Sequence, residues 1–186
     1  AVAGALRHYL ASRGEPTDGI AVRGLIPVNL RPQRSALTLG NRFGLVFLTL
    51  PVGQPRRQER VLTVKRRMDD IKSSSEAVAA LGILRALGAV PLEVEDQVVK
   101  LLSSKASAVM TNVPGPREKL HMAGRGLQHV MPWVPRAGKI GMGVSVFSYA
   151  GEVRLGIATD AGLVPDPETI LDGYVDEFKH LRANVA

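Results

Sequence analysis

The sequence predicts an α/β (α+β) fold in which a mixed β-sheet is layered with helices. Strand-length apolar segments occur in both halves of the chain, at residues 21–30, 44–52, 106–112 and 140–159. The segments between them carry apolar residues at three- and four-residue spacing, which is typical of amphipathic helices. With 186 residues, 45% of them hydrophobic, the chain can bury one core or form one half of a larger two-lobed protein.

The first third of the chain predicts one helix and two strands. Residues 1–12 form a helix that ends before Gly14 and Pro16. Residues 21–30 form a strand, in which Pro27 indicates a sheet edge or a bend. Residues 44–52 are continuously apolar, so this strand is expected to be buried on both faces.

Three helices are expected next. Pro55 begins the first, which runs to about residue 72; Ser75 caps the second, which ends at Gly88; and Pro91 opens the third. Their spacing predicts buried faces made by Val61, Val64, Met68 and Ile71, then by Val78, Leu81 and Leu84, then by Val94, Val98 and Leu101.

The last part of the chain is richer in strands. Residues 106–112 predict a strand, and residues 127–131 are a candidate for another. Tyr149-Ala-Gly-Glu152 predicts a hairpin turn between two strands. Asp166-Pro-Glu168 is a strong helix start. The inner face of this closing helix is expected to contain Ile170, Leu171, Tyr174, Val175, Phe178 and Leu181.

Composition narrows the classes of function. The formal charge of +7 favours anionic partners such as phosphates or an anionic membrane surface, and six cations against one acid lie between residues 56 and 67. Aromatic residues make up only 4% and no recognition motif is present, which argues against nucleic acid as a partner. The absence of cysteine excludes disulfides, thiol catalysis and zinc–thiolate sites.

Met110-Thr-Asn-Val-Pro-Gly-Pro116 is the most informative stretch. Proline cannot donate to a sheet ladder, so the strand is expected to end here and to hold Thr111 and Asn112 at a rigid strand end. The alternative is an ordinary turn whose asparagine bonds only to local backbone.

No catalytic constellation is visible in this chain. The four histidines are neither adjacent nor three to four residues apart, and there is no nucleophile elbow, P-loop or dinucleotide fingerprint. Asp69 and Asp70 lie together on a predicted helix and are expected to be solvated. By itself, this chain therefore contains no convincing set of catalytic residues.

Four motifs in order give a more specific indication. They are Ile26-Pro-Val-Asn-Leu-Arg-Pro32, Gly40-Asn-Arg-Phe-Gly44, the Asn-Val-Pro-Gly-Pro turn and the hairpin between residues 144 and 160. Together they resemble the C-terminal half of the bacterial wax ester synthase/diacylglycerol acyltransferase family, over nearly the whole chain. The resemblance implies a chloramphenicol-acetyltransferase-like C-terminal lobe.

The resemblance also implies an activity. Residues 1–186 would be a single C-terminal lobe, and the missing N-terminal lobe would supply the catalytic His-His-x-x-x-Asp-Gly motif. The complete protein would transfer an acyl group from acyl-CoA to diacylglycerol, giving triacylglycerol, or to a fatty alcohol, giving a wax ester. The fragment alone is expected to be inactive. The alternative is a non-catalytic, condensation-like binding or scaffold domain.

The site residues implied in this way are supporting ones, with no catalytic residue in this chain. Candidates for oxyanion support are Asn112, Thr111 and Ser145. Candidates for binding substrate or CoA are Asn29, Arg31, Asn41, Arg42 and Ser148. No metal is implied, and acyl-CoA is a co-substrate rather than a permanently bound cofactor. The plainer alternatives are turn bonding, an ordinary strand serine and surface arginines.

The expected surroundings follow from the lipid substrates. The partners would be the N-terminal lobe, acyl-CoA, diacylglycerol or a fatty alcohol, and an anionic membrane or lipid-droplet surface. The location would be cytoplasmic, peripheral to the inner face of the membrane or to droplets. Trp133, in an apolar loop, would suit a lipid surface if exposed, but it is expected to be buried or to line a tunnel.

Overall fold

The computed structural model of the chain describes residues 1–31, 42–87, 92–136 and 138–183. The helices within these residues are α1 (Val2–Ser12), α2 (Arg57–Ser73), α3 (Glu76–Leu87), α4 (Leu92–Ser104) and α5 (Pro167–Ala183). The strands are β1 (Val22–Asn29), β2 (Phe43–Leu50), β3 (Ala108–Pro114), β4 (His121–Met122), β5 (Arg125–Gly126), β6 (Met142–Tyr149) and β7 (Glu152–Thr159). The predicted α/β class, a mixed sheet layered with helices, is confirmed.

Five strands form one mixed sheet in the order β2-β1-β3-β6-β7. The three inner strands run parallel, and each outer strand is antiparallel to its neighbour. The β6–β7 hairpin closes through Ala150 and Gly151, both at positive φ, as the predicted two-residue turn requires. A parallel pair needs a long crossover connection. For the pair of β1 and β3, this connection contains β2 and then the helices α2, α3 and α4.

The two faces of the sheet are covered differently. One face, here called the helical face, carries Leu48, Ala108 and Val144 and packs against α1, α2 and α5. The opposite face carries a smaller cluster with Leu25, Val109 and partly buried Phe47, and is here called the α3 face. Because side chains alternate along a strand, residue parity assigns each strand position to one of these faces.

Several helix positions expected to be buried are exposed: Val61, Val78, Val94, Leu101, Val175 and Phe178. In α2, the buried side chain of Arg60 occupies part of the inner face that apolar residues were expected to fill. In α5, Gly173 and Glu177 are the buried partners of α1, since a Cβ on Gly4 would overlap the Glu177 carboxyl group. In α3, buried Ala77 occupies the first turn in place of Val78. Gly88 and Pro91, expected to bound two helices, lie outside the described residues.

The expected strand at residues 127–131 is wrong. A short hairpin, β4–β5, precedes it, turning through Ala123 and Gly124 at positive φ. The buried Tyr149 side chain explains the extended path that follows, because its hydroxyl donates to the Leu127 carbonyl and accepts the Leu120 N–H, both at 2.9 Å. The start of the segment is thus held by the Tyr149 hydroxyl and by the Leu127 N–H, which donates to the Leu120 carbonyl at 2.8 Å, rather than by a strand ladder.

A buried ion pair links α2 to α5. Arg60 and Glu177 are only 5% and 6% exposed, their side chains form a salt bridge, and Arg57 adds a second contact to Glu177 at 3.0 Å. Arg60 also donates to the Gln54 and Pro55 carbonyls, each at 2.8 Å. Burial alone would raise the pKa of Glu177, but hydrogen bonds from the two arginines outweigh it and hold the pKa below its ordinary value.

We expect Glu177→Ala to lower the free energy of unfolding by about 3 kcal/mol, because it leaves the Arg60 charge buried without its partner. The control is Asp69→Ala, which removes an exposed pair with Lys65 and should lower the free energy of unfolding far less than Glu177→Ala does. Urea unfolding of both variants measures the difference. Equal losses in the two variants would contradict the role of the buried pair.

The same pair predicts an acid dependence. The unfolded carboxyl titrates near pH 4.3 and the folded one lower, so the stabilisation is complete above about pH 4.3 and is lost as the pH falls through the folded pKa. Glu177→Ala should therefore lose less stability on acidification than the unsubstituted chain does.

Candidate functional site

The polar candidate residues meet at one edge of the sheet. Because β1, β3 and β6 are parallel, their carboxyl ends lie at the same edge, and these ends carry Asn29, Asn112 and Ser148. Arg42 immediately precedes β2, which starts at this edge because it is antiparallel to β1. Ligands of open α/β sheets often bind at the carboxyl edge of parallel strands.

The sheet opens between β1 and β3 at this edge. Their pairing covers Gly24↔Ala108 and Leu25↔Val109, although both strands continue beyond it. The Arg23 carbonyl accepts the Ser107 N–H and so points toward β3. Because the backbone groups of every second residue point to the same side of a strand, the backbone nitrogen of Pro27 also points toward β3. Gly115 donates to the Ser148 carbonyl in β6, so Pro114 presents its nitrogen the other way, toward β1.

The two strand edges that border this opening, on β1 and β3, therefore each carry a proline nitrogen, which cannot donate a hydrogen bond. β1 is an inner strand rather than the expected edge strand, and Pro27 lies in the part of it that is not paired with β3. β3 ends at Pro114, the first proline of the Pro-Gly-Pro turn, which is two residues beyond the expected end at Asn112, and Pro114 is still paired with Ser148 of β6. A proline is tolerated there because its nitrogen faces the opening and not the ladder.

The three candidates for oxyanion support do not converge on one point. Asn112 lies on the helical face and is exposed, whereas Thr111 is half-buried on the α3 face. Ser145 pairs with Thr111 on that same face but is only 1% exposed, and its hydroxyl accepts the Val134 N–H at 3.0 Å. Of the three, Asn112 is the one that presents a side-chain amide to solvent at the sheet edge.

The candidates for substrate or CoA binding lie on both sides of the opening, most of them by the β1–β2 pair and Ser148 in β6. The Asn29 carboxamide oxygen accepts the Arg31 N–H at 3.0 Å, and the Leu30 N–H donates to the Arg42 carbonyl. Arg31 and Arg42 therefore flank the same end of the β1–β2 pair. The Ser148 hydroxyl accepts from Gly115 at 3.2 Å and so holds the Pro-Gly-Pro turn. Asn41 lies outside the described residues.

Two motif glycines are explained by close packing. A Cβ on Gly44 would overlap the backbone of Ala77 at the start of α3, and one on Gly115 would overlap the Ser148 carbonyl and the Phe147 ring. Neither needs a positive φ. The glycines of these motifs therefore bring other elements close to the sheet edge that carries the polar candidates.

The six cations between residues 56 and 67 are not all exposed. Arg60 is buried, and Arg67 is half-buried with its guanidinium donating to the Thr49 carbonyl on the free edge of β2. Arg56 and Arg66 are exposed. Arg57, Arg60 and Arg67 thus serve the fold, and this role was not visible in the sequence because apolar spacing alone assigned the inner face.

Among the residues that the structure describes, no group of three or more His, Cys, Asp or Glu side chains could hold a metal ion. His8 and His180 line a cavity between α1 and α5, away from the sheet edge, and His121 and His129 are exposed on the segment between β3 and β6. In the same described ranges, no helix is both long and apolar enough to cross a membrane.

Trp133 is 60% exposed, so the expectation that it is buried within this chain is wrong. That it lines a tunnel between two lobes stays a prediction. Its ring lies over Gly156 on the α3 face, where a Cβ would crowd it. The loop is held below by the Ser145–Val134 hydrogen bond, so the ring is displayed on a fixed support. Exposed tryptophan is typical of protein and lipid interfaces.

The mixed sheet with its helical layers and the polar carboxyl edge defines an α/β lobe with a candidate binding edge. The family model described as the WS/DGAT C-terminal domain matches residues 39–182. The chain therefore belongs to the family of wax ester synthase/diacylglycerol acyltransferase C-terminal domains, as its motifs indicated.

Relatives cover nearly all of the chain. It is 28% identical over 98% of its length to a probable diacylglycerol O-acyltransferase of Mycobacterium tuberculosis, and 28% identical over 89% to wax ester synthase/diacylglycerol acyltransferase 11 of Arabidopsis thaliana. The solved wax ester synthase/diacylglycerol acyltransferase from Marinobacter aquaeolei VT8 matches 98% of the chain at 20% identity, with a TM-score of 0.66. The chain spans 40%, 37% and 41% of these three proteins, respectively.

Proposed function

We propose that this chain is the C-terminal lobe of an acyl-CoA-dependent O-acyltransferase that makes triacylglycerol from diacylglycerol, wax esters from fatty alcohols, or both. The observation that carries the proposal is family membership across 144 matched positions, residues 39–182. The names of the relatives from Mycobacterium tuberculosis and Arabidopsis thaliana support the same reaction class. The competing proposal is a non-catalytic binding or scaffold domain of the same fold.

In this proposal the lobe contributes binding and support. An N-terminal lobe supplies the histidine that takes the proton of the acceptor hydroxyl, which then attacks the thioester carbonyl. The oxygen of the resulting tetrahedral intermediate carries negative charge, and a donor near 3 Å stabilises it. Asn112 is the candidate donor, and Arg31 and Arg42 are candidate partners for CoA phosphates, since guanidinium groups bind phosphate well.

The first test separates the enzyme from the scaffold. We expect the isolated chain to show no acyl transfer from palmitoyl-CoA to diacylglycerol or hexadecanol, because none of its four histidines lies in a catalytic motif. The complete protein that contains this sequence should be active under the same conditions. Activity in the isolated chain would contradict the division of labour, and an inactive complete protein would favour the scaffold.

The second test concerns Asn112. In the complete protein, Asn112→Ala should lower turnover by roughly 100-fold or more, as loss of one oxyanion donor does. Because the side chain is exposed, the free energy of unfolding should change by less than about 0.5 kcal/mol. The comparison variant is Ser145→Ala, which removes the buried hydroxyl that accepts the part-buried Val134 N–H and should cost about 1 kcal/mol of stability. Turnover of Asn112→Ala within about threefold of the parent would make the residue structural.

We also propose that the complete protein binds peripherally to an anionic membrane or droplet surface from the cytoplasmic side. The support comes from the exposed cations and from Trp133. These lie on opposite sides of the sheet, because α2 packs on the helical face and Trp133 on the α3 face. A flat lipid surface would therefore contact one of them and not both.

The third test distinguishes the two sides by liposome flotation. If α2 faces the lipid, Arg56→Gln with Arg66→Gln should weaken binding about 30-fold, since each surface cation is worth about 1 kcal/mol, and added salt should weaken it further. Trp133→Ala should then have no effect. The reverse pattern would assign the lipid surface to the α3 face. Unchanged flotation in both variants would exclude both surfaces.

A further inference from the structure

A cavity of about 230 Å³ lies between α3 and the β1–β2 pair. Leu25, Leu45 and Phe47 form its sheet-side wall, and Ala80 and Leu84 line it from the helix. The lining is almost entirely apolar. The exception is Glu76 at one end, whose carboxylate accepts the Phe47 N–H at 3.4 Å and so belongs to the edge of β2.

The cavity results from how α3 packs against the sheet. The Ala77 backbone contacts β2 where Gly44 has no Cβ, which fixes the start of the helix close to the strand. Further along, the lining positions 79 and 80 are alanines, too short to fill the space over Phe47. Protein interiors leave few voids larger than a water molecule, and apolar cavities of this size accept apolar ligands.

An apolar track joins this cavity to the polar edge. Three cross-strand pairs follow one another on the α3 face of β1 and β2, namely Leu25↔Phe47, Pro27↔Leu45 and Asn29↔Phe43. The first two pairs are apolar and the third presents the Asn29 carboxamide. At about 3.3 Å per residue, the track covers roughly 13 Å from Leu25 to Asn29.

We propose that this cavity, here called the α3 groove, binds the alkyl chain of a long-chain fatty acyl group whose carbonyl end points toward Asn29. The inference rests on the proposed function for the identity of the donor, acyl-CoA. Charge favours this occupant over a fatty alcohol or diacylglycerol, because Arg31 and Arg42 at the same end of β1 and β2 would meet anionic phosphates that the acceptors lack.

The experiment uses two matched positions on α3. Ile83 and Val78 are β-branched and exposed to similar degrees, 58% and 62%, but Ile83 lines the groove and Val78 does not. In the complete protein, Ile83→Asp should weaken binding of the hexadecyl thioether of CoA about tenfold or more, the equivalent of two or three methylenes left unburied. Binding of the butyl thioether should be unchanged, and Val78→Asp should resemble the parent for both.

A second pair of variants tests the groove by filling it with an aromatic ring instead of placing a charge in it. Ala80→Phe occupies the space with a ring, and Ala86→Phe places the same ring on an exposed position of the helix outside the groove. Ala80→Phe should shift the preference among acyl-CoA chain lengths from long to short, with the preference among alcohol lengths unchanged. If the alcohol preference shifts instead, the groove holds the acceptor and the assignment to the acyl donor is wrong.

A CoA-free probe separates this inference from the proposed function. If hexadecanoate binds about tenfold more weakly to Ile83→Asp than to Val78→Asp, while CoA thioethers do not bind the parent at all, the groove is an alkyl site and the acyltransferase proposal fails. If CoA thioethers bind the parent but neither Ile83→Asp nor Ala80→Phe discriminates between chain lengths, the groove proposal is overturned and the acyltransferase proposal stands.

Discussion

The two halves of the sheet are joined through the parallel pairing of β1 with β3, which covers Gly24↔Ala108 and Leu25↔Val109. On one side, β1 and β2 are paired over eight positions, and on the other side β3, β6 and β7 form long ladders. The short joint lets the two halves share one hydrophobic core at their base and separate at their carboxyl ends. The candidate site depends on this, since its polar residues line the ends of the two halves.

Proline keeps the separation in place. An opened strand edge exposes backbone donors that tend to pair with any available strand. Here Pro27 and Pro114 each replace a donor that would face across the opening, so closing the gap by one more ladder step would gain fewer hydrogen bonds. The outer edge of β2 is protected by a different device, in which Arg67 and Glu76 bond to its free carbonyl and amide groups.

Sequence patterns placed the five strands of the main sheet to within about two residues because their signals are local, although the strand expected at residues 127–131 is not found. The Ala150-Gly151 turn and the Asp166-Pro167 helix start depend on residues next to each other, and both are found as expected. The buried faces of the helices were predicted less well. Arg60 and Glu177 are separated by 117 residues, and neither looks like a core residue until the other is seen beside it. The site at the sheet edge could be predicted in part. The sequence indicates its residue types and the strand ends that carry them, but the faces on which Thr111 and Asn112 lie depend on how β3 is paired with its neighbours.

The motifs carry structural and binding roles at the same time. Gly44 belongs to the motif that marks the second strand, and its missing Cβ is what lets α3 start against that strand. The contact fixes the helix at its first turn, and the small side chains at positions 79 and 80 then leave the α3 groove open. An alanine at position 44 would push the helix outward and change the groove without touching any residue that lines it. A family motif can therefore act on the shape of a binding cavity through backbone packing alone, which a search for chemically reactive side chains would miss.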